Sequence, residues 1–486
     1  MFHTVILGSD PSGLSAAYDL SKHNCDVTVL EAGNTLGGLY RTENHQGYRI
    51  DLCPQGFSTD SPLVWQLWNA LVSEASIPVE VRSLIHYNHR LYNYPLSFTN
   101  ALKHIGPIDA TRIGLSYLKA WLSFQQTGAQ QTQQPEQKAT EETAKAWLTR
   151  HFGAHLSQLF FEPYLAKVWG VGCDRLAATC AQQATLSILR KAIRRQRSTA
   201  AYYPTLGMGS LWESCQAAIS QSNSSQTNPP QANSRIALDT KVVRIEHTGH
   251  RITRVVAKRG TDSNLMDQLI ERPVDQLISS LPLLELTELL EAPANVVHAA
   301  QQLHYRHLIV VAVIVDTATL FPEHTIYVHQ PNVNVARIQN FKNWSPAMVP
   351  DSRKTCLGMG YFCDAEDSLW TLSDAELSRM AAEELIELGL VQHPKQIKPC
   401  KVARQRNAYP VERSNTVQHL ATVQNYLARF ENLQSIGRNG EHQYAGLDYC
   451  LMSGLRASNK ILGGRLSPQM IPGDASVVQP QAASIL

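Results

Sequence analysis

"ILGSDPSGL", Ile6 to Leu14, decides how this chain is read. An apolar run, Thr4 to Leu7, enters a turn of small residues. "LSAAYDLSKH" follows, with small apolar residues on one helical face. "DVTVLEA" is a second apolar run and reaches Glu31. Strand, tight turn, helix and strand within about thirty residues make the β-α-β unit that opens dinucleotide-binding folds. In such a unit the helix N-terminus meets the diphosphate, and an acidic residue closing the second strand holds a ribose hydroxyl. Gly8 and Gly13 keep the G-x-G-x-x-G spacing, but Asp10 stands where the middle glycine belongs.

Asp10 changes the chemistry of the turn. Pro11 pushes residue 10 towards extended backbone, where a side chain is tolerated, so the obstacle is bulk and charge. Two negative charges about 4 Å apart repel by roughly 4 kcal/mol at an effective dielectric of about 20. Asp-Pro also reads as a helix N-cap followed by proline at the first helical position. The carboxylate then competes with a phosphate for the free N–H groups of the helix.

The bulk numbers set limits on the rest. The chain has 486 residues, which predicts two or three domains. Hydrophobic residues are 43% and charged residues 17%, a globular composition. Lys and Arg total 43 against 41 Asp and Glu, so no polyanion groove and no nucleic-acid partner are expected. The nine cysteines are scattered without C-x-x-C pairs, which predicts reduced, buried thiols, a cytoplasmic location and no metal site. No signal peptide is read. The longest apolar run, "LIVVAVIV" from Leu308, is too short to span a bilayer and reads as a buried strand.

Further along, "ALKHIGPIDATRIGLSYLKAWLSF" and "TAKAWLTRHFGAHLSQLFFEPYLAKVWG" read as helices with an apolar face packed on a core. Peripheral membrane contact is the alternative for such a face, and nothing in the composition indicates it. "LDTKVVRIEHTGHRITRVVA" alternates like a hairpin, and "DQLISSLP" is a strand ended by proline. "NVNVARIQNF" is also strand-like, and "LSDAELSRMAAEELIELGL" is a helix opened by a Ser373–Glu376 capping box. Residues 125–142 and 221–235 read as flexible loops and 466–486 as a tail.

"LEAGNTLGGLYRT", Leu30 to Thr42, carries the reading further. An acidic residue followed by Gly-Gly and an arginine resembles the FAD-binding opening of the flavin amine oxidase and protoporphyrinogen oxidase superfamily. "LYNYPLSFTNAL", "FFEPYLAKVWG", "YPTLGMGSLWE", "ARIQNFKNWSPAMVPD" and "NLQSIGRNGEHQY" are similar to segments of a bacterial subgroup related to UDP-galactopyranose mutase. The likeness runs from near Val5 to near Leu462.

It implies an α/β fold, with a discontinuous Rossmann-type FAD-binding domain and an inserted mixed α+β substrate domain. The former takes residues 1–90, 200–290 and 400–465; the latter takes 91–199 and 291–399, with a helical part. It also implies non-covalent FAD and hydride transfer from a small-molecule substrate to flavin. The alternatives are a mutase-like isomerase and a degenerate, non-catalytic scaffold. The oligomeric state is not read.

Carried over residue by residue, the cofactor set is Gly8, Asp10, Ser12, Gly13, Glu31, Gly37, Gly38, Arg41, Val243, Gly437, Arg438, Asn439 and Gly440. Glu31 would accept from the adenosine ribose, and Gly37, Gly38 and Arg41 would close on the diphosphate. Lys167, Trp169, Arg337 and Arg404 are the substrate-side candidates, with Arg406 completing an arginine set for a diphosphate. His442, Tyr409 and Tyr444 are the catalytic candidates, each with a competing role in the core. Four departures from the relatives fall on segments facing cofactor or substrate. They are Asp10; Cys53-Pro54-Gln55 in place of Gly-Gly-His; Thr205 in place of arginine; and the thinned polar set of "EHQYAGLDYC".

Overall fold

β1 (His3–Leu7), α1 (Pro11–Lys22) and β2 (Asp26–Leu30) form in sequence, because each strand is a short apolar run and the turn between them is small. In this computed structural model the described residues are 3–72, 76–94, 106–128, 142–182, 201–221, 234–260, 269–413 and 415–464. The strands lie in a five-stranded, all-parallel sheet. Its order is Leu433–Ser435, Gln276–Ser279, β1, β2, Arg235–Ala237. Val5, Ile6 and Leu7 are fully buried within it. α1 packs against the helix Leu447–Ile461 so closely that a Cβ on Gly454 would lie 2.2 Å from the Ser12 carbonyl oxygen. Ser15 Oγ ties the pair by donating to the Leu451 carbonyl at 3.0 Å.

A second, seven-stranded sheet runs Ile397–Pro410, Tyr305–Val315, Thr355–Cys363, Arg337–Asn340, Thr325–Val328, Ser83–Tyr87, Arg90–Tyr94. Only the pairing of Thr325–Val328 with Ser83–Tyr87 is parallel; the others are antiparallel. That pairing draws residues 83–90 into this sheet, and pairing with Tyr305–Val315 draws in 400–410. The chain therefore crosses between sheets before the 90 boundary and after the 400 boundary read from sequence. The apolar run from Leu308 is a buried strand, and the 373–387 helix begins with the expected capping box. The hairpin Thr240–Thr248 and Arg251–Arg259 joins Leu269–Pro273 in a three-stranded sheet.

Two helical segments differ from expectation. Within Pro107–Gly128, Ile113 is buried, but Ile108, Leu115, Leu118, Trp121 and Leu122 are exposed. Among the described residues the helix meets Ala144–Phe152 and Ala154–Leu156, and the apolar face expected to be packed is largely exposed. The stretch from Thr143 to Gly170 is broken rather than continuous. Gly153 turns at φ +77°, where a Cβ would sit 2.8 Å from the Tyr117 backbone nitrogen. A wider π turn over Ser157–Phe161 then leads into Glu162–Trp169. Among the described residues no helix is long and apolar enough to cross a membrane. Of the loops and tail read from sequence, 129–141, 222–233 and 465–486 lie outside the described residues.

Candidate flavin and substrate site

Three adjacent parallel strands end at one point, where a parallel sheet of this kind binds ligands. β1 runs into Gly8, Gln276–Ser279 into Ser280, and Leu433–Ser435 into Gly437. Gly8 and Gly437 take φ of +94° and +73°, a backbone that only glycine adopts without strain. Gly13 allows α1 to start against the turn, since a Cβ there would lie 2.3 Å from the Gly8 carbonyl oxygen. Gly37 lets Trp212 press on the neighbouring loop, where its Nε1 donates to the Tyr40 carbonyl at 2.8 Å.

Asp10 stands at the centre of these turns. It caps α1: Oδ1 accepts the Gly13 N–H at 2.9 Å, and Pro11 takes the first helical position. Ser12 Oγ lies 3.5 Å from Oδ2, and the Ser280 hydroxyl also bonds the carboxylate. A Cβ on Gly437 would be 3.4 Å from Oδ2, and one on Gly38 would be 3.4 Å from the Asp10 Cβ. Burial beneath these turns pushes the Asp10 carboxyl up to about 6, against the pull of its hydrogen bonds and with a small push from Glu31.

Glu31 ends β2 as expected. Its Oε2 accepts the Ser9 N–H at 2.8 Å and the Ser9 hydroxyl at 2.7 Å, and its Oε1 accepts the Gly33 N–H at 2.7 Å. Arg41 is tied to the chain on both sides. Its guanidinium bonds Glu43 and the Gly38 carbonyl beside it, and Gln405 and the Arg404 carbonyl on the seven-stranded sheet. Val243 is 37% exposed at a bulge of its strand. Asn439 offers its backbone carbonyl to the Tyr305 hydroxyl at 3.0 Å. Gly440 is packed against Ser435 and the Ser279 carbonyl.

Against the seven-stranded sheet lies a cavity of about 730 Å³. Cys53, Pro54 and Gln55 line one side; Tyr94, Tyr327, Arg337 and Tyr409 line the other, with Arg438 and Tyr444 at the junction. Its walls do not include Gly8, Asp10 or Glu31. Asp51 anchors the first wall. Its buried carboxylate accepts from the Tyr203 hydroxyl, from Thr42 Oγ1 and from the Met208 N–H at 2.9 Å. Burial nevertheless raises Asp51 to about 6. The Thr205 carbonyl accepts from Ser345 Oγ at 2.7 Å.

Arg337 Nη2 donates to Tyr409 Oη at 3.3 Å, and its guanidinium lies 5.8 Å from the Phe362 ring. The groups acting most on its charge are the Tyr409, Tyr164 and Tyr327 phenols and the Cys53 thiol, with no carboxylate among them. Arg438 is treated differently. It is buried, bonds the Ala408 and Ala445 carbonyls and the Tyr40 hydroxyl, and lies 5.1 Å and 5.2 Å from the Tyr409 and Tyr444 rings. This arginine is thus held in a cage of tyrosines.

Burial raises both the Tyr409 and Tyr444 phenols, while the arginines beside them pull the other way. Both remain protonated at neutral pH, so they can orient a ligand but are not bases. Cys53 Sγ is 3.7 Å from Tyr409 Oη.

Five of the candidates read from sequence fall outside the cavity lining. Arg404 pairs with Asp374 and donates to the Leu372 carbonyl, and Arg406 stacks 5.7 Å from the Trp370 ring. Lys167 spends its ammonium on the Val328, Gln330 and Val335 carbonyls, fixing the strand-to-loop exit. Trp169 is buried behind the cavity, edge-on to Tyr409 and Tyr444. His442 is buried edge-on to Tyr305, and burial pushes it down to about 4. Tyr94, Tyr327 and Asp51 were not read as site residues. The alternation of "TIYVH" carries the signal for Tyr327, which faces the opposite side from buried Ile326.

The frame fits a flavin dinucleotide at the ribose corner and in its glycine turns. At the diphosphate point the fit is disturbed: the Asp10 carboxylate accepts the Gly13 N–H at the helix N-terminus, and the Ser12 side chain, with Asp10 Oδ2 behind it, faces Gly437.

Against known proteins, the model of the flavin containing amine oxidoreductase family matches residues 11–462. Coproporphyrinogen III oxidase of Staphylococcus aureus is 25% identical over 186 residues, 35% of this chain and 37% of that protein. The L-amino acid oxidase Cdc18 of Crotalus durissus cumanensis is 40% identical over 62 residues, 13% of this chain and 12% of that protein. The chain thus spans about a third or less of the length of the curated relatives it matches. Among solved structures, reduced UDP-galactopyranose mutase superposes with a TM-score of 0.73 at 18% identity, covering 97% of this chain and 98% of that one. A triple mutant of putrescine oxidase superposes at 0.62 with 16% identity, covering 95% and 98%. These likenesses agree with the Rossmann-type α/β fold with an inserted substrate region. With the family model spanning nearly the whole chain, the protein belongs to the flavin-containing amine oxidoreductases.

Proposed function

We propose that this protein is an FAD-dependent oxidoreductase of the protoporphyrinogen oxidase and amine oxidase type, acting in the cytoplasm on a small anionic molecule. FAD is held non-covalently and is weakened by Asp10. When bound, the flavin supplies two-electron redox chemistry. The observation that carries the substrate class is Arg337, a cavity cation whose strongest neighbours are phenols rather than a carboxylate. Arg337 binds the anionic group, and Tyr409 fixes the guanidinium through its hydroxyl. Tyr94 and Tyr327, with ring centroids 4.7 Å apart, supply an apolar wall for the body of the substrate. The neutral phenols position the substrate without taking its proton.

The isomerase reading calls for several arginines converging on a diphosphate. Of the three expected, only Arg337 lines the cavity; Arg404 and Arg406 are engaged elsewhere. The test is anaerobic bleaching of flavin-loaded protein by a panel of small carboxylates and their uncharged amides. Bleaching by an acid and not by its amide, lost in Arg337→Gln, supports the reading. A protein that takes up no flavin, or whose flavin no member bleaches, contradicts it.

A further inference from the structure

We propose that Asp10 is a proton-operated selectivity element: its carboxylate is the resident anion of the diphosphate point, and it yields that point to a dinucleotide only when neutral. This rests on the flavin reading above and adds how loading is controlled. The case is geometric. A helix N-terminus presents free N–H groups to an anion, and here Oδ1 already holds the Gly13 N–H at 2.9 Å. Oδ2 lies beside the Ser12 side chain that faces Gly437, and the Asp10 Cβ faces Gly38, so the half-buried carboxylate stands among the turns that would cradle a diphosphate. An ionised Asp10 and a diphosphate cannot share this space at low cost.

The surroundings leave Asp10 as the group that titrates. Glu31, from the end of β2, adds a like charge. Cys450, from the Leu447–Ile461 helix, is itself pushed up to about 12 by burial and stays a thiol. Glu441 is bonded to the Tyr449 and Ser453 hydroxyls. Arg438 and Tyr40, on the two facing glycine turns, bond each other at 3.3 Å, with the guanidinium in the tyrosine cage. No cation is among the groups acting most on Asp10, and its burial raises it to about 6, within reach of small pH changes.

The test is FAD affinity of the full-length protein, read by flavin fluorescence between about pH 7.5 and 5.5, for wild type, Asp10→Asn and Asp10→Gly. Adenosine diphosphate serves as a second probe. Asparagine keeps the helix cap, which guards against misreading a folding defect. If only the neutral form admits the ligand, wild-type affinity rises roughly twenty-fold across that range, by the growth of the competent fraction. The two variants then bind tightly at both ends with a flat profile. Equal affinity in all three proteins overturns the proposal and leaves the oxidoreductase reading standing. A slope shared by all three assigns the proton elsewhere and likewise overturns it. Failure of every protein to bind FAD at either pH overturns both.

Discussion

The glycine junction and the substrate cavity meet at Arg438, yet they treat charge in opposite ways. At the junction an acid sits where a ligand's phosphates belong, matched by Gly13 N–H and serine hydroxyls. In the cavity Arg337 faces about 730 Å³ of space with phenols as its strongest neighbours. One region is closed by the chain's own side chain, and the other is left for an external anion. The backbone of a nucleotide site is thus preserved while a carboxylate stands at its phosphate end.

The comparison can be broken most severely at the backbone. Gly13→Val would set a Cβ 2.3 Å from the Gly8 carbonyl oxygen, and α1 has no room to retreat from its neighbours. A loss of about 4 kcal/mol, or failure to fold, is expected in urea denaturation. A variant of wild-type stability would show that the junction is not tightly built. Asp51→Ala removes the acceptor for the Tyr203 hydroxyl and the Met208 N–H beneath the cavity wall. It should cost about 3 kcal/mol by the same measurement, because buried donors are left unpaired.

On the cavity side, Arg337→Gln should weaken an anionic substrate by roughly ten- to a hundredfold while leaving FAD affinity and Tm near wild type. Acidification sharpens a third contrast. Burial pushes His329 down to about 3 and His442 to about 4, so both fold neutral while the unfolded chain protonates near 6.5. The stability they contribute is present above about 6.5 and is lost as pH falls through 6.5 towards 4 and 3. Asp10 and Asp51, raised to about 6, act with the opposite sign: their contribution is present below 3.8 and is lost as pH rises through 6. His442→Gln should therefore lose less Tm than wild type between about pH 7 and 5, measured by calorimetry. The smallest effect is expected for Arg404→Ala, within about 1 kcal/mol in stability and neutral in ligand binding, since its partner Asp374 is exposed.

The parts of the fold made by local periodicity were legible: the opening β-α-β unit, the hairpin at 240–259, and the capped helix at 373. The Asp10 cap was legible too, because Asp-Pro at a helix start depends on neighbouring residues alone. The substrate-side residues were not. Lys167 meets carbonyls more than 160 residues away, and Arg404, on a strand, meets an acid at the start of the 374–387 helix. Neither distance in sequence leaves a pattern. Tyr94 and Tyr327 converge only because Thr325–Val328 pairs in parallel with Ser83–Tyr87, a long-range register. The exposed face of Pro107–Gly128 shows the same limit: an apolar stripe tells which side is apolar, not whether anything covers it.

The central claim is that Asp10 holds the diphosphate point of an otherwise intact nucleotide frame. Its most direct test is the flavin content, by visible absorbance, of wild type and Asp10→Gly purified side by side at neutral pH with FAD added in equal amounts. The account predicts a pale wild type and a variant carrying several times more flavin. A wild type already saturated with flavin, indistinguishable from the variant, would contradict it.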